Sequence, residues 1–448
     1  MSKAPPPPII EGADVKRYVF WRMPNGKPHR EQNDKYAPCK VLDAIGTPAN
    51  TSGGGIQWPG FATQRFQVVL RSAVIVLDPD GDEINETDAW TIVWSAVTAL
   101  LKKEGGGKPI QASKLLQEAD RKAAEFFRKP ENVYVMVTTL SVKDLPALRV
   151  DVRGSIISGL RSRGKRYPYP EVVSNAYPRI AEKAAKYKGK CVKITTKGRT
   201  MFEAANNSMA NLGLLRGLWT LFIQYGAWSL SFGGAREKRL GVIHAGPIHT
   251  LHNPDGSLVA DLFWYEASFE SPFDLYVPSD GWAKIEKHRR WAMRRLKSLP
   301  YRRDLEDLLV RYAAALDQAD LDLAFIKLWS ILEKLTDTVG ANYEETVRRA
   351  VWVYDEPQLA AEMLGAMRTH RNRLVHSSQS ADQRDQVAYM VKSFVEPHLL
   401  RLLRNDFQVS SLEEYGRLLA LPSNLTELKK QQQRLGRAVR FFSRDQKK

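Results

Sequence analysis

Between Leu321 and Val339 the chain places Leu321, Phe325, Leu328, Leu332, Leu335 and Val339 along one side of a 3.6-residue repeat. A stripe of that length does not fit a strand, whose faces alternate every two residues, and one helix cannot hide it from water. Other helices must therefore cover it. Asp320 is placed to cap its N-terminus and Gly340 to end it. The flanking sequence supplies the covering elements. Helices are expected over Trp282–Lys297 and over Asp304–Asp317, the latter with Leu305, Leu308, Leu309 and Tyr312 on one side. A short helix over Tyr343–Tyr354 precedes a longer one that opens at Pro357, with Leu359, Met363, Ala366 and Met367 as its apolar face. The last begins at Asp382 and runs to Arg404, with Val387, Met390, Val391, Phe394 and Val395 turned inward. Residues 281–405 thus read as an all-α bundle.

Upstream the pattern is mixed, and the fold class as a whole is α+β. Arg65–Asp78 is rich in β-formers and closes on the turn Asp80-Gly81. Thr87–Lys103 reads as a helix with Trp90, Val93, Trp94, Val97 and Leu101 on one stripe. A second helix over Ser113–Arg128 leads into a strand over Val133–Leu140, and a long helix is expected over Thr200–Tyr225. Strands around Leu240–Ile243 and Leu258–Ser268 flank the turn Asn253-Pro254-Asp255-Gly256, which predicts a hairpin. The expected organisation is a Pro-rich tail (1–17), an α+β domain (18–150), a basic α+β region (151–280) that can join it in one unit, the bundle (281–405) and a basic helical extension (406–448).

Charge narrows the partners. Lys and Arg total 67 against 50 Asp and Glu, a net +17, and eleven Trp argue for a packed chain. Such an excess favours polyanions, nucleic acid first. Cys39 and Cys191 are the only cysteines, so neither a disulfide framework nor a cysteine metal site is expected, and a reducing cytoplasm fits. The apolar run Gly217–Ala235 contains Gln224, Gly226, Ser229 and Ser231 and reads as a buried helix rather than a membrane span.

Several segments could carry chemistry. Gly53-Gly54-Gly55 and Gly105-Gly106-Gly107-Lys108 lack phosphate-loop spacing and read as connectors. Arg153–Arg199 holds thirteen Lys/Arg against Glu171 and Glu182, interleaved with Tyr167, Tyr169, Tyr177 and Tyr187. That composition suits either single-stranded nucleic acid or a solvated basic face. His244, His249 and His252 lie close in sequence without a carboxylate or thiol at matching spacing, so they read as ordinary surface or core histidines. No cofactor and no metal is expected. Lys284–Arg303 carries nine Lys/Arg and one acid, Glu286.

The most pointed sequence is Arg371-Asn372-Arg373-Leu374-Val375-His376, in the final turns of the Pro357 helix. A guanidinium binds phosphate and stabilises charge developing on it. An imidazole titrates near neutrality and can move the proton of a 2′-hydroxyl. Asn372 and His376 are i and i+4, hence on one face, whereas Arg371 and His376 are about 140° apart around the axis. Either Arg371 bends round on its long stem or a second copy of the chain completes the site. The helix C-terminus favours a chargeable His376.

This motif, following Phe325-Ile326-Lys327-Leu328-Trp329-Ser330-Ile331-Leu332-Glu333-Lys334-Leu335, resembles the HEPN superfamily, and its Apea-like branch in particular. The resemblance covers residues 281–405. It implies a small helical bundle that cleaves RNA without a metal, leaving a 2′,3′-cyclic phosphate and a 5′-hydroxyl. It also implies His376 as general acid/base, Arg371 as phosphate clamp and Asn372 as the residue orienting either. Lys284, Lys287, Arg289, Arg290, Arg294, Arg295 and Arg373 would hold the RNA backbone, with Glu333 within reach. The implied biology is a cytoplasmic anti-phage or toxin effector, homodimeric, with residues 1–280 answering to a phage-derived or protein trigger. The alternative is a catalytically inactive bundle that binds nucleic acid and dimerises.

Overall fold

The computed structural model describes residues 17–30, 35–51, 55–58, 62–146, 148–225, 240–266, 275–278, 281–340, 342–377 and 384–445. The fold is α+β, with antiparallel sheets in the first half and helices in the second. The chain divides into two compact units: Met1–Val133 with Lys197–Asn206, and Tyr134–Thr196 with Asn207–Lys448.

The first unit contains β1 (Val19–Arg22), β2 (Pro28–His29), α1 (Cys39–Gly46), α2 (Ala62–Ala73), β3 (Val74–Val76), α3 (Glu86–Glu104) and α4 (Ala112–Phe127). Its three strands pair antiparallel in the order β2-β1-β3. Trp21, Val93, Val97, Leu115 and Ala119 are buried together in its core. Asp120 is also buried, and its carboxylate accepts the backbone N–H groups of Tyr18 and Val19 at 2.9 Å each while pairing with Arg30. The Gly-rich connector is structural: a Cβ on Gly106 would lie 1.9 Å from the Ala49 carbonyl oxygen.

The predicted strand over Arg65–Asp78 is mostly helix, and only Val74–Val76 is extended. Leu70 is fully buried, with Phe66 packed against the same core four residues earlier, whereas Val68 and Val69 face solvent. Helical spacing of the two large side chains outweighs the β-preference of the valine pair.

The second unit holds most of β4 (Asn132–Leu140), β5 (Arg149–Val152), β6 (Ser155–Gly159), α5 (Glu171–Ala176), α6 (Pro178–Lys186), β7 (Lys190–Gly198) as far as Thr196, α7 (Met201–Gln224) from Asn207 onward, β8 (Ile248–His252) and β9 (Trp264–Tyr265). The sheet order is β5-β6-β7-β4-β8-β9, and β4 runs antiparallel to β8, as β8 does to β9. Leu240–Ile243 is not a strand. Its backbone is engaged elsewhere: Gly241 N–H donates to the Leu316 carbonyl, and the Ile243 carbonyl accepts from Arg216 Nε at 3.0 Å. No helix among the described residues is long and apolar enough to cross a membrane.

The helices follow: α8 (Trp282–Ser298), α9 (Arg302–Leu316), α10 (Leu321–Leu335), α11 (Tyr343–Ala350), α12 (Pro357–Ser377), α13 (Arg384–Arg404), α14 (Leu412–Leu419) and α15 (Leu425–Asp445). Helix α10 is the hub of α8–α13 and touches α9, α11, α12 and α13. Asp320 caps it, accepting from the Asp322 and Leu323 N–H groups. It ends at Leu335, before the expected Gly340 stop, because Asp337 takes φ +53° and turns the chain. Val339 is consequently 64% exposed rather than part of the stripe. Helix α13 stops where Asn405 adopts φ +54°.

Buried polar links fasten these helices. Lys392 Nζ lies 2.7 Å from Glu396 Oε1 and donates to the Gln224 carbonyl, while Tyr312 donates its hydroxyl to Glu396. Asp317 receives Arg216 and His244. Burial opposes its ionisation, but those two partners hold its carboxyl down at about 2.

Candidate nuclease site

The inward face of α12 decides what its motif can do. Ala360, Leu364 and Met367 are buried, whereas Leu359 is half exposed and Ala366 faces solvent. The apolar face is therefore rotated by one residue from the stripe 359/363/366/367. Continued at helical spacing, the 360/364/367 series brings His370 inward. His370 is only 6% exposed and meets Phe325 of α10 edge to face, with ring centroids 5.0 Å apart. Val375, by contrast, points outward and is 47% exposed.

Among the described residues neither ring nitrogen of His370 has a hydrogen-bond partner, and Asp322 Oδ1 lies 3.6 Å from Nε2. Asp322 Oδ1 and Asn372 Oδ1 are also buried without a hydrogen-bond partner among the described residues. Burial lowers the His370 pKa, partly offset by Asp322 and reinforced by Arg373, which favours the neutral ring. Buried polar atoms in proteins are almost always hydrogen-bonded. Their concentration around Arg371 sets this turn of α12 apart.

Arg371 points toward α10 and α11. Its guanidinium carbon lies 4.5 Å from the centre of the Tyr343 ring, a cation–π distance. It also acts electrostatically on Glu333 near the end of α10. Burial raises the Glu333 carboxyl pKa, and the Trp329 indole N–H at 2.8 Å together with the Arg371 charge pull it back. One turn earlier, Arg368 pairs with Glu344 at 3.7 Å. Asn372 and His376 share one regular helix at i,i+4 spacing. The side chain of His376 and residues 378–383 lie outside the described residues.

The candidate phosphate-binding cations divide into two groups. Lys284, Lys287, Arg290 and Arg294 are exposed along α8 at near-helical intervals, and Arg373 is exposed on α12. Arg289 is otherwise engaged: it is 7% exposed and holds Glu286 at 2.6 Å, which also accepts the Trp219 indole N–H. Arg295 donates to the carbonyls of Leu403 and Arg404, capping the end of α13. In the tyrosine-bearing stretch, Arg163 stacks 3.9 Å from the Tyr169 ring centre and donates to Thr250 and to the Tyr167 carbonyl.

The three clustered histidines each have protein partners. His244 bonds Asp317 and the Gly241 carbonyl, His249 bonds Thr138 and Glu266, and His252 bonds Thr250 and the Gly256 carbonyl. Burial, with the Arg163 charge, pushes the His252 pKa down to about 4. Among the described residues no group of three His, Cys, Asp or Glu side chains could hold a metal ion.

Sequence periodicity could have found His370, had the buried stripe of α12 been phased on Leu364. The stacking of Arg371 on Tyr343 leaves no such signal, since it depends on how α11 folds back. Comparison with protein-family models, curated proteins and solved structures gave no match.

Proposed function

We propose that residues 281–405 form a metal-independent endoribonuclease site at the end of α12, acting in a homodimer. His376 moves the proton of the 2′-hydroxyl or of the leaving oxygen, Arg371 clamps the scissile phosphate, and Asn372 orients one of them. Lys284, Lys287, Arg290, Arg294 and Arg373 hold the RNA backbone as a row of exposed cations. The products are a 2′,3′-cyclic phosphate and a 5′-hydroxyl. A defence or toxin role is what the superfamily resemblance implies for such an activity.

The observation that carries this reading is the polar capacity left unmet, among the described residues, on the side chains next to Arg371 in α12, both nitrogens of His370 and Asn372 Oδ1, with Asp322 Oδ1 beside His370. A fold keeps such groups at a cost, and functional sites are where that cost is usually tolerated. The cation–π seat of Arg371 favours a second reading, in which the guanidinium supports the bundle and the domain binds nucleic acid without cutting it.

Labelled RNA incubated in EDTA separates the two. Cleavage by the wild type that vanishes in Arg371→Ala and in His376→Ala supports the nuclease. Tight binding without cleavage by the wild type favours the binding module. Cleavage unchanged in both variants places the activity elsewhere.

A further inference from the structure

Helix α15 lies outside the packing that holds the rest of its unit. Every side chain from Gln432 to Ser443 is exposed, including Leu435 at 65%, Val439 at 64% and Phe442 at 65%. Leu425, at the other end, is 66% exposed. An isolated helix of this length is marginal in water, because packing rather than propensity supplies most helical stability. These apolar groups therefore need a partner surface.

Their spacing identifies the partner. Counting Leu425 as a, the a positions are Leu425, Gln432 and Val439, and the d positions are Leu428, Leu435 and Phe442. The 21-residue helix is thus three heptads with an apolar a/d seam, interrupted once, at Gln432. A stripe centred on a and d is the seam of a coiled coil, narrower than the face a helix turns to a globular core; Phe441, at c and 64% exposed, is the one large apolar side chain of α15 that lies off it.

Charge placement agrees. Lys430, Arg434, Arg437 and Arg440 occupy b, c and f, on the outer side, Lys430 is paired with Glu427 at 2.7 Å, and Lys429 takes e in the first heptad, where it meets the uncharged Asn424 at g. In a parallel pair, g meets e of the following heptad in the other strand. Those pairs would be Gln431 with Gly436 and Ala438 with Ser443, so no like charges oppose across the seam. Gln432 at a meets its own copy only in a parallel, in-register pair, where two amides can hydrogen-bond to each other. Laid on a membrane, the same amide would sit in the middle of the inserted face without a partner.

We propose that α15 pairs with α15 of a second copy of this chain as a parallel, in-register, two-stranded coiled coil. This deepens the homodimer in the proposed function by naming its surface. Its test reads mass rather than cleavage, so failure of one is distinguishable from failure of the other.

Sedimentation equilibrium of the full chain at tens of micromolar is expected to give twice the 50.8 kDa chain mass. Leu435→Glu with Val439→Glu should return it to the single mass, with circular dichroism unchanged outside the helix contribution, since both sites are exposed. Arg434→Glu, on the outer side, should leave the dimer intact. Phe442→Cys in a Cys39→Ser background should cross-link to itself on oxidation, as only a parallel pair brings those positions together. Single-chain mass for the wild type overturns the proposal, with or without co-sedimentation on anionic vesicles. So does a dimer that survives Leu435→Glu with Val439→Glu.

Discussion

Replacing His370 by leucine should make the protein more stable and less active. The imidazole is 6% exposed and burial favours its neutral form, in which one N–H donor and one lone pair are both buried and unmet among the described residues. Each buried, unsatisfied polar atom costs about 1–3 kcal/mol. Leucine removes that penalty and keeps an apolar body against Phe325 and Met367. It forfeits the edge-to-face contact with Phe325, worth about 0.5–1.5 kcal/mol. It also forfeits the weak attraction of Asp322 at 3.6 Å. Two such atoms set against these losses leave a gain of about 0.5–5 kcal/mol, at roughly 2 °C in the unfolding midpoint per kcal/mol for a unit of this size. The assay is thermal unfolding at pH 7.5, with RNA cleavage measured on the same preparations. Cleavage should fall, the exchange of stability for function expected where polar groups are kept unsatisfied at a site. A loss of stability of 1 kcal/mol or more would refute the reasoning, since it would mean that the imidazole is bonded in solution.

Three further outcomes follow from the same structure. Lys392→Met should destabilise by about 3–5 kcal/mol, because the buried Glu396 would lose the ammonium that pairs with it, and adding Glu396→Leu should recover much of the loss in urea titrations. Burial holds His398 neutral with a pKa of about 4, its ring bonded to Tyr415 and the Ala350 carbonyl. The unfolded chain binds the extra proton below about 6.5, so stability should rise with pH between about 4 and 6.5 and level off above; His398→Gln should flatten that rise, which is worth at most about 3 kcal/mol. Reversing Lys284, Lys287, Arg290 and Arg294 should weaken RNA binding and reduce the slope of log affinity against log salt by up to about 3, whereas Arg289→Ala should act on stability instead.

Much of the helical half was legible because its stripes are long and capped. Asp320, Leu321, Phe325, Leu328 and Leu332 specify α10 without help from elsewhere. The stop of α10 was misplaced because Asp337, not Gly340, takes the left-handed turn that ends it, a conformation sequence assigns first to glycine. In Ala62–Ala73, two adjacent valines suggested a strand, and only the burial of Leu70 with Phe66 reveals the helix. At the site, Arg371 and Asn372 were visible as residue types. The inward turn of His370 was not, because the alternative stripe through Leu359, Met363 and Ala366 is equally apolar. The engagement of Arg289 and Arg295 depends on Glu286 and on the end of α13, which composition does not reveal.

The central claim is that the turn from Arg371 to His376 cuts RNA through its own 2′-hydroxyl. The most direct measurement follows an RNA and its twin carrying a 2′-deoxy substitution at the cleaved nucleotide, both in EDTA, with end-group analysis of the products. The account predicts that the wild type cuts only the RNA, leaving a 2′,3′-cyclic phosphate, and that Arg371→Ala and His376→Ala cut neither. Equal cleavage of the deoxy twin, or products ending in a 3′-hydroxyl, would contradict it.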